Sequence, residues 1–224
     1  MERYTRQIAL QEIGAAGQQR IAQARVLVVG VGGLGALVAQ YLVAAGVAKI
    51  GVVDGDRVSM TNLQRQIIYT EQDLGVQKTL AAGSRLRAMN SSVEVVEHPQ
   101  FLTAENGAEI ISDYDIVIDG CDNYQTRVVV DAICAEQSKP FIHGAVEGFV
   151  GQVSLFTPES RYRYADIFEP TERVEKGIIG PTAGVVAAVE VSECLKIICG
   201  YGATLCNRLW RVDLRTMNSE IFEL

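Results

Sequence analysis

At 224 residues, 48% hydrophobic and 21% charged, the chain has an ordinary globular composition and enough length to bury a substantial core. A formal net charge of −7 argues against a nucleic-acid backbone or an anionic membrane surface as the main partner. Met1 to Arg6 lack the apolar run of a signal peptide, no stretch reaches membrane-spanning length without charge, and five scattered cysteines suit a reducing cytoplasm.

Residues 25–29 are an apolar, β-branched run that predicts a strand. The run ends in Gly30-Val31-Gly32-Gly33-Leu34-Gly35, and a helix apolar on nearly all sides follows to about Gly46. Residues 49–54 predict a second strand closing on Asp54, which completes a right-handed βαβ unit. Helices expected at 78–90, 105–112 and 124–136 then alternate with strands at 93–97, 115–119 and 140–143. Such alternation predicts an α/β, Rossmann-like, doubly wound and mainly parallel sheet. From Gly151 the rhythm changes to a strand at 152–156, a polar loop through Gly180, a long helix, and strands at 209–213 and 218–222. Antiparallel strands therefore extend the sheet near the C-terminus. Glu190, Glu193 and Lys196 give the late helix an amphipathic reading. No linker or repeat divides the chain, so residues 1–224 read as one domain, with a nucleotide-binding core at about 20–150 and an extension at about 151–224.

The glycine loop points to a nucleotide. Gly30 permits the tight turn, Gly32 lets backbone approach a phosphate, and Gly35 allows the helix to pack on the strand. The helix N-terminus behind it attracts anions, and Asp54 stands where an acid binds ribose hydroxyls. Arg65, in Asn62-Leu63-Gln64-Arg65-Gln66, and Lys78 add two cations on the ligand-binding side of the sheet. A triphosphate calls for that charge, although a lone Arg or Lys is commonly a solvated surface group. Asp122, after the strand at 115–119, is a candidate Mg²⁺ ligand between phosphate oxygens. Asn123 is a candidate ligand contact, and either Asp122 or Asn123 suits the cap of the following helix. Only two histidines occur; His98 precedes Pro99 in an expected turn, and His143 at a strand end reads as structural. A carboxylate nucleophile needs no base, because it is already ionised at neutral pH.

Arg3-Tyr4-Thr5-Arg6-Gln7, the Gly30–Gly35 loop, Asp54 followed by Asp56, Asn62 to Gln66, Lys78 and Asp122-Asn123 come in an order and spacing that resembles the ThiF/MoeB/HesA adenylyltransferases, bacterial relatives of the ubiquitin-activating enzymes. The resemblance covers nearly the whole chain. It implies a homodimer that uses Mg-ATP to adenylate the Gly-Gly tail of a ubiquitin-like sulfur-carrier protein, which a sulfur donor protein then serves. It makes residues 151–224 the carrier-binding extension. Gly33 and Asp54 would contact adenosine, Asn62, Arg65 and Lys78 the phosphates, and Asp122 the magnesium; Arg6 would reach the phosphates from the other subunit. Among the pathways such enzymes serve, thiamine-type sulfur transfer is preferred here over molybdenum cofactor.

Two departures from that family matter. Arg161-Tyr162-Arg163-Tyr164 stands where many members hold the first Cys-x-x-Cys pair of a structural zinc, so no zinc is expected. Residues 171–176 contain no cysteine, which puts a covalent enzyme–carrier link in doubt, and the five cysteines read as small buried residues. The competing functions are an NAD-dependent oxidoreductase, for which the chain offers no separate substrate domain, and a non-catalytic nucleotide-binding scaffold, which has no use for a magnesium acid.

Overall fold

The computed structural model describes residues 2–170 and 177–224. Helices α1 (Thr5–Ile8) and α2 (Gly14–Ile21) precede β1 (Arg25–Val29), and α3 (Gly35–Ala45) leads to β2 (Lys49–Val53). There follow α4 (Lys78–Met89), β3 (Glu94–His98), α5 (Gly107–Ser112), β4 (Ile116–Asp119), α6 (Tyr124–Glu136) and β5 (Phe141–Glu147). The chain continues through β6 (Val150–Phe156), α7 (Tyr164–Ile167), α8 (Gly180–Cys199), β7 (Arg208–Asp213) and β8 (Asn218–Glu223).

The eight strands form one sheet in the order β3-β2-β1-β4-β5-β6-β7-β8. Pairing is parallel from β3 to β5 and antiparallel from β5 to β8, as expected from the sequence. The parallel strands are apolar runs because helices cover both faces; four of the five residues of β1 are buried. One core face joins β1 and β2 side chains such as Val28 and Val52 to α3, α4 and α8, and the other joins Leu27, Val117 and Phe141 to α5 and α6. Leu27, Ile118 and Ile142 are fully buried, each worth about 1.5–3 kcal/mol in transfer from water.

The structure differs from the sequence expectation in five places. β5 runs on to Glu147, beyond the expected end at His143, because it forms a hairpin with β6 that pairs Ala145 with Gln152 and Glu147 with Val150. Cross-strand pairing, not an apolar pattern, extends it. The N-terminal helices carry too short a periodicity to stand out, and α7 interrupts the expected polar loop. His98 ends β3 instead of lying in a turn, with its Nε2 3.0 Å from the Tyr114 hydroxyl. On α8, Glu190 and Glu193 are not a polar face: both are buried. Glu193 accepts a 2.7 Å bond from the Leu205 N–H and pairs with Lys196, while neither carboxyl oxygen of Glu190 has a hydrogen-bond partner among the described residues. No helix among the described residues is long and apolar enough to cross a membrane.

Candidate active site

The strand order reverses between β1 and β4, which opens a crevice outside their carboxyl ends. Its floor is backbone. Gly30 adopts φ +92°, and a Cβ there would run into the carbonyl of Gly120 after β4. A Cβ on Gly35 would collide with the Gly30 carbonyl, so α3 starts directly on the turn. Gly32 and Gly33 are half-buried beside the free N–H groups of the α3 N-terminus.

Asp54 follows β2 and is buried. Its Oδ2 accepts a 2.8 Å bond from the Val31 N–H, and its Oδ1 one of the same length from the Asp56 N–H. The first ties the carboxylate to the glycine loop. Lys78, the first residue of α4, is buried too, with Nζ 2.9 Å from Asp56 Oδ2 and 3.9 Å from Asp54 Oδ2. Tyr69 joins these parts by donating its hydroxyl to the Val31 carbonyl at 2.8 Å and to the Lys78 carbonyl at 3.2 Å. Lys78 is therefore no solvated surface charge.

Asn62 closes a one-turn helix by accepting from the Ser59 N–H at 3.1 Å. That turn lays Arg65 over the glycine loop, since a Cβ on Gly33 would lie 3.2 Å from Arg65 Cγ. Among the described residues the Arg65 guanidinium donates only to the Thr61 carbonyl, at 3.0 Å. Gln66 is buried under Gly32, and its Oε1 has no hydrogen-bond partner among the described residues. The start of α8 packs here as well: Gly180 lies against the Gln64 carbonyl and Ala183 against Gly33.

After β4 the choice of cap is settled. Asn123 accepts from the Thr126 N–H at 2.9 Å and caps α6. Asp122 is exposed, with Asn123 Nδ2 3.4 Å away. Among the described residues no three His, Cys, Asp or Glu side chains converge as a metal cage. Magnesium needs no cage, since it takes one or two carboxylates with waters and phosphate oxygens, and Asp122 fits that role.

Behind Asp122 lies a network that the sequence reading missed. Asp119 is fully buried; its Oδ2 accepts from Arg127 Nε and His143 Nδ1, each at 2.7 Å, and its Oδ1 from the Cys121 N–H at 2.8 Å. Burial opposes its ionisation, but Arg127 and the His143 bond prevail and hold the carboxyl below its usual range. Burial depresses His143 against the pull of Asp119, so the imidazole is neutral and structural. It is also packed by the rings of Tyr164 and Phe168. The available signal was Arg127 one helical turn beyond Asn123, with Asp119 at the end of a strand.

Arg6 does not join this group within one chain. α1 lies at the far end of α3, where Gln7 Nε2 donates to the Ala45 carbonyl at 3.2 Å. The eleven residues of α3 separate that end from the glycine loop by about 16 Å. Where the zinc pair of many family members would begin, Arg161 N–H donates to Asn207 Oδ1 at 2.8 Å, and Arg163 pairs with Asp131, which also accepts from the Tyr164 N–H. Arg and Tyr side chains offer no thiolate, so this position does not fit zinc. Cys134, Cys194 and Cys199 are buried as expected, but Cys121 and Cys206 are only partly so. The cysteine-free segment 171–176 lies outside the described residues.

Residues 4–224 match the model of the ThiF family. The sulfur carrier protein adenylyltransferase of Thermus thermophilus is 41% identical over 225 residues, covering 95% of this chain and 83% of that protein. An adenylyltransferase and sulfurtransferase MOCS3-1 of Zea mays is 35% identical, covering 99% of this chain and 49% of the relative. The Mus musculus MOCS3 is 39% identical over 94% of this chain, which spans 47% of its length; the chain thus covers about half of these longer relatives. In fold, Escherichia coli MccB crystallised with ATP matches with a TM-score of 0.88 at 22% identity, over 99% of this chain and 71% of the other. PaaA matches at 0.86 and 24%, over 99% and 72%.

Proposed function

Because the chain belongs to the ThiF family, we propose that it uses ATP to adenylate the C-terminal Gly-Gly carboxylate of a ubiquitin-like sulfur-carrier protein, releasing pyrophosphate. The observation that carries this reading is the gathering at the carboxyl ends of the parallel strands of a backbone-locked acid with Lys78 paired beside it, Arg65 over a glycine loop, and an exposed carboxylate. The name of the Thermus thermophilus relative supports the carrier as substrate.

In the proposed reaction Asp54 takes the ribose hydroxyls, and Gly32 and Gly33 admit the phosphates to the N-terminus of α3. A carrier carboxylate oxygen attacks the α-phosphorus; that P–O bond forms as the bond to the β-phosphate breaks and pyrophosphate leaves. No proton moves, which suits a site whose nearest histidine is neutral and enclosed. The barrier is mainly repulsion between an anionic tail and the triphosphate. Arg65 and Lys78 reduce it, with Asn62 shaping the turn that presents Arg65 and Gln66. Asp122 would hold Mg²⁺, which supplies further charge neutralisation on the phosphates when bound. Asn123 keeps α6 in place beside it.

The family resemblance and the distant placement of Arg6 support a homodimer in which each Arg6 serves the partner's crevice. The carrier acyl-adenylate then passes to a sulfur donor, with displacement of AMP and no enzyme thioester. Five free cysteines are consistent with a cytoplasmic setting. Carrier-dependent exchange of labelled pyrophosphate into ATP tests the reading; exchange with neither a thiamine-type nor a molybdenum-type carrier would overturn it. The carrier that supports exchange assigns the pathway.

A further inference from the structure

Asp122 projects from a loop with no regular structure of its own, so something must fix where its carboxylate stands. The structure places that task on Arg127. From the second turn of α6 its Nε donates to Asp119 Oδ2 at 2.7 Å, while Nη2 donates to the Cys121 carbonyl at 2.6 Å and to the Gly144 carbonyl at 3.3 Å. The Cys121 N–H is held at the same time by Asp119 Oδ1 at 2.8 Å. Both polar groups of Cys121 are therefore tied down.

The Cys121 carbonyl belongs to the peptide plane that carries the Asp122 nitrogen. Fixing that plane fixes the direction in which Asp122 leaves the strand end. The Gly144 contact adds a second reference point. Gly144 lies on the part of β5 that pairs with β6, so the guanidinium ties the Asp122 loop to the antiparallel extension. The planar fork of Arg is what makes the three contacts compatible. The Arg127 side chain is itself only 13% exposed.

We propose that Arg127 is a positioning residue for the adenylyl transfer, acting through the Cys121–Asp122 peptide; this rests on the adenylation reading above. Arg127→Lys keeps a positive charge beside Asp119, but one ammonium cannot span the carboxylate and both carbonyls. Its kcat in carrier-dependent pyrophosphate exchange is expected to fall about a hundredfold, as when a change away from the chemistry misplaces an aligned group by about 1 Å. KM for ATP should stay within about threefold, because Asp54 and the glycine loop are untouched. Adding Asp122→Ala to Arg127→Lys should cost nothing beyond Asp122→Ala alone, since the two residues act as one unit.

A second readout needs no activity. The Cys121 thiol faces the Val29 carbonyl at 3.4 Å, so in a Cys206→Ser background Ellman's reagent should label Cys121 several-fold faster once Arg127→Lys frees the loop. Losses that add in the double variant, or an unchanged kcat with unchanged labelling, would overturn the proposal. Should wild type show no exchange, the adenylation reading falls, and the labelling rate alone decides whether Arg127 fixes the loop. Should Arg127→Lys not give a cooperative melt, Asp119→Asn, which keeps the shape and weakens the same clamp, takes its place with the same expectations.

Discussion

Replacing Glu190 by Gln should stabilise the protein at neutral pH and leave it little changed in mild acid. Glu190 lies on α8 against Gly144 of β5, where a Cβ on the glycine would run into the carboxyl group. It is fully buried, and neither oxygen has a hydrogen-bond partner among the described residues. Burial, reinforced by the charge of Asp119, pushes the carboxyl well above its ordinary value of 4.5, so the folded protein holds it neutral. The unfolded chain ionises it near that ordinary value. With the folded pKa raised, the contribution to stability is complete below the unfolded pKa and is lost as pH climbs towards the folded one. Each pH unit between the unfolded and the folded pKa costs about 1.4 kcal/mol, so the wild type should lose stability through this group as pH rises above its ordinary value of 4.5. Gln has the same shape, leaves a comparable buried amide unpaired, and cannot ionise. The variant should therefore have a higher Tm than wild type at pH 7.5, by about 2–4 °C for each kcal/mol recovered in a chain of this size, and a much smaller advantage at pH 5. Thermal and urea unfolding of both proteins across pH 5–8 measures the difference, in which every other titrating group cancels. A difference that does not vary with pH would refute the reasoning, because it would mean that Glu190 has a partner or ionises in the folded state.

Asp122→Ala should lower carrier-dependent pyrophosphate exchange by about two to three orders of magnitude, like loss of a single transition-state contact. Its exposure predicts a stability change within about 0.5 kcal/mol, and loss of cooperative unfolding would count against a purely chemical role. Arg6→Ala and Lys78→Ala homodimers should both be inactive, whereas a mixed heterodimer should regain one working site; a confirmed heterodimer without activity would exclude a shared site. Elemental analysis should find no stoichiometric zinc, given Arg161 and Tyr164 at the critical positions, and one zinc per chain would contradict this. Mass spectrometry of enzyme, carrier and Mg-ATP without reductant should show no covalent adduct. A thiol-sensitive adduct lost on mutating one cysteine would replace the proposed mechanism.

The parallel half of the sheet was legible because strands buried on both faces become continuous apolar runs, as in Val26–Val29 and Ile116–Ile118. The glycine loop and Asp54 were legible because close backbone approach leaves few residue choices. What local pattern could not convey was pairing at a distance. The last residues of β5 are strand because β6 lies beside them, and Glu190 is buried because of where the sheet passes under α8. The same holds for the network around Asp119, whose members Arg127 and His143 stand 8 and 24 positions away. Asn123 lay between two readings until the Thr126 N–H chose the cap.

The lysine at the start of α4 has a consequence for recognition. A free lysine side chain carries about 2 kcal/mol of rotamer entropy, and a site that had to capture one at the moment of binding would weaken by that amount. Here the flexible arm is already immobilised between Asp54 and Asp56 when the chain folds. On the proposed adenylation reading, an incoming polyphosphate would meet a fixed ammonium and would have to outcompete Asp56 for it. An uncharged nucleoside would have no means of doing so, and the crevice would in this way select its ligand by charge.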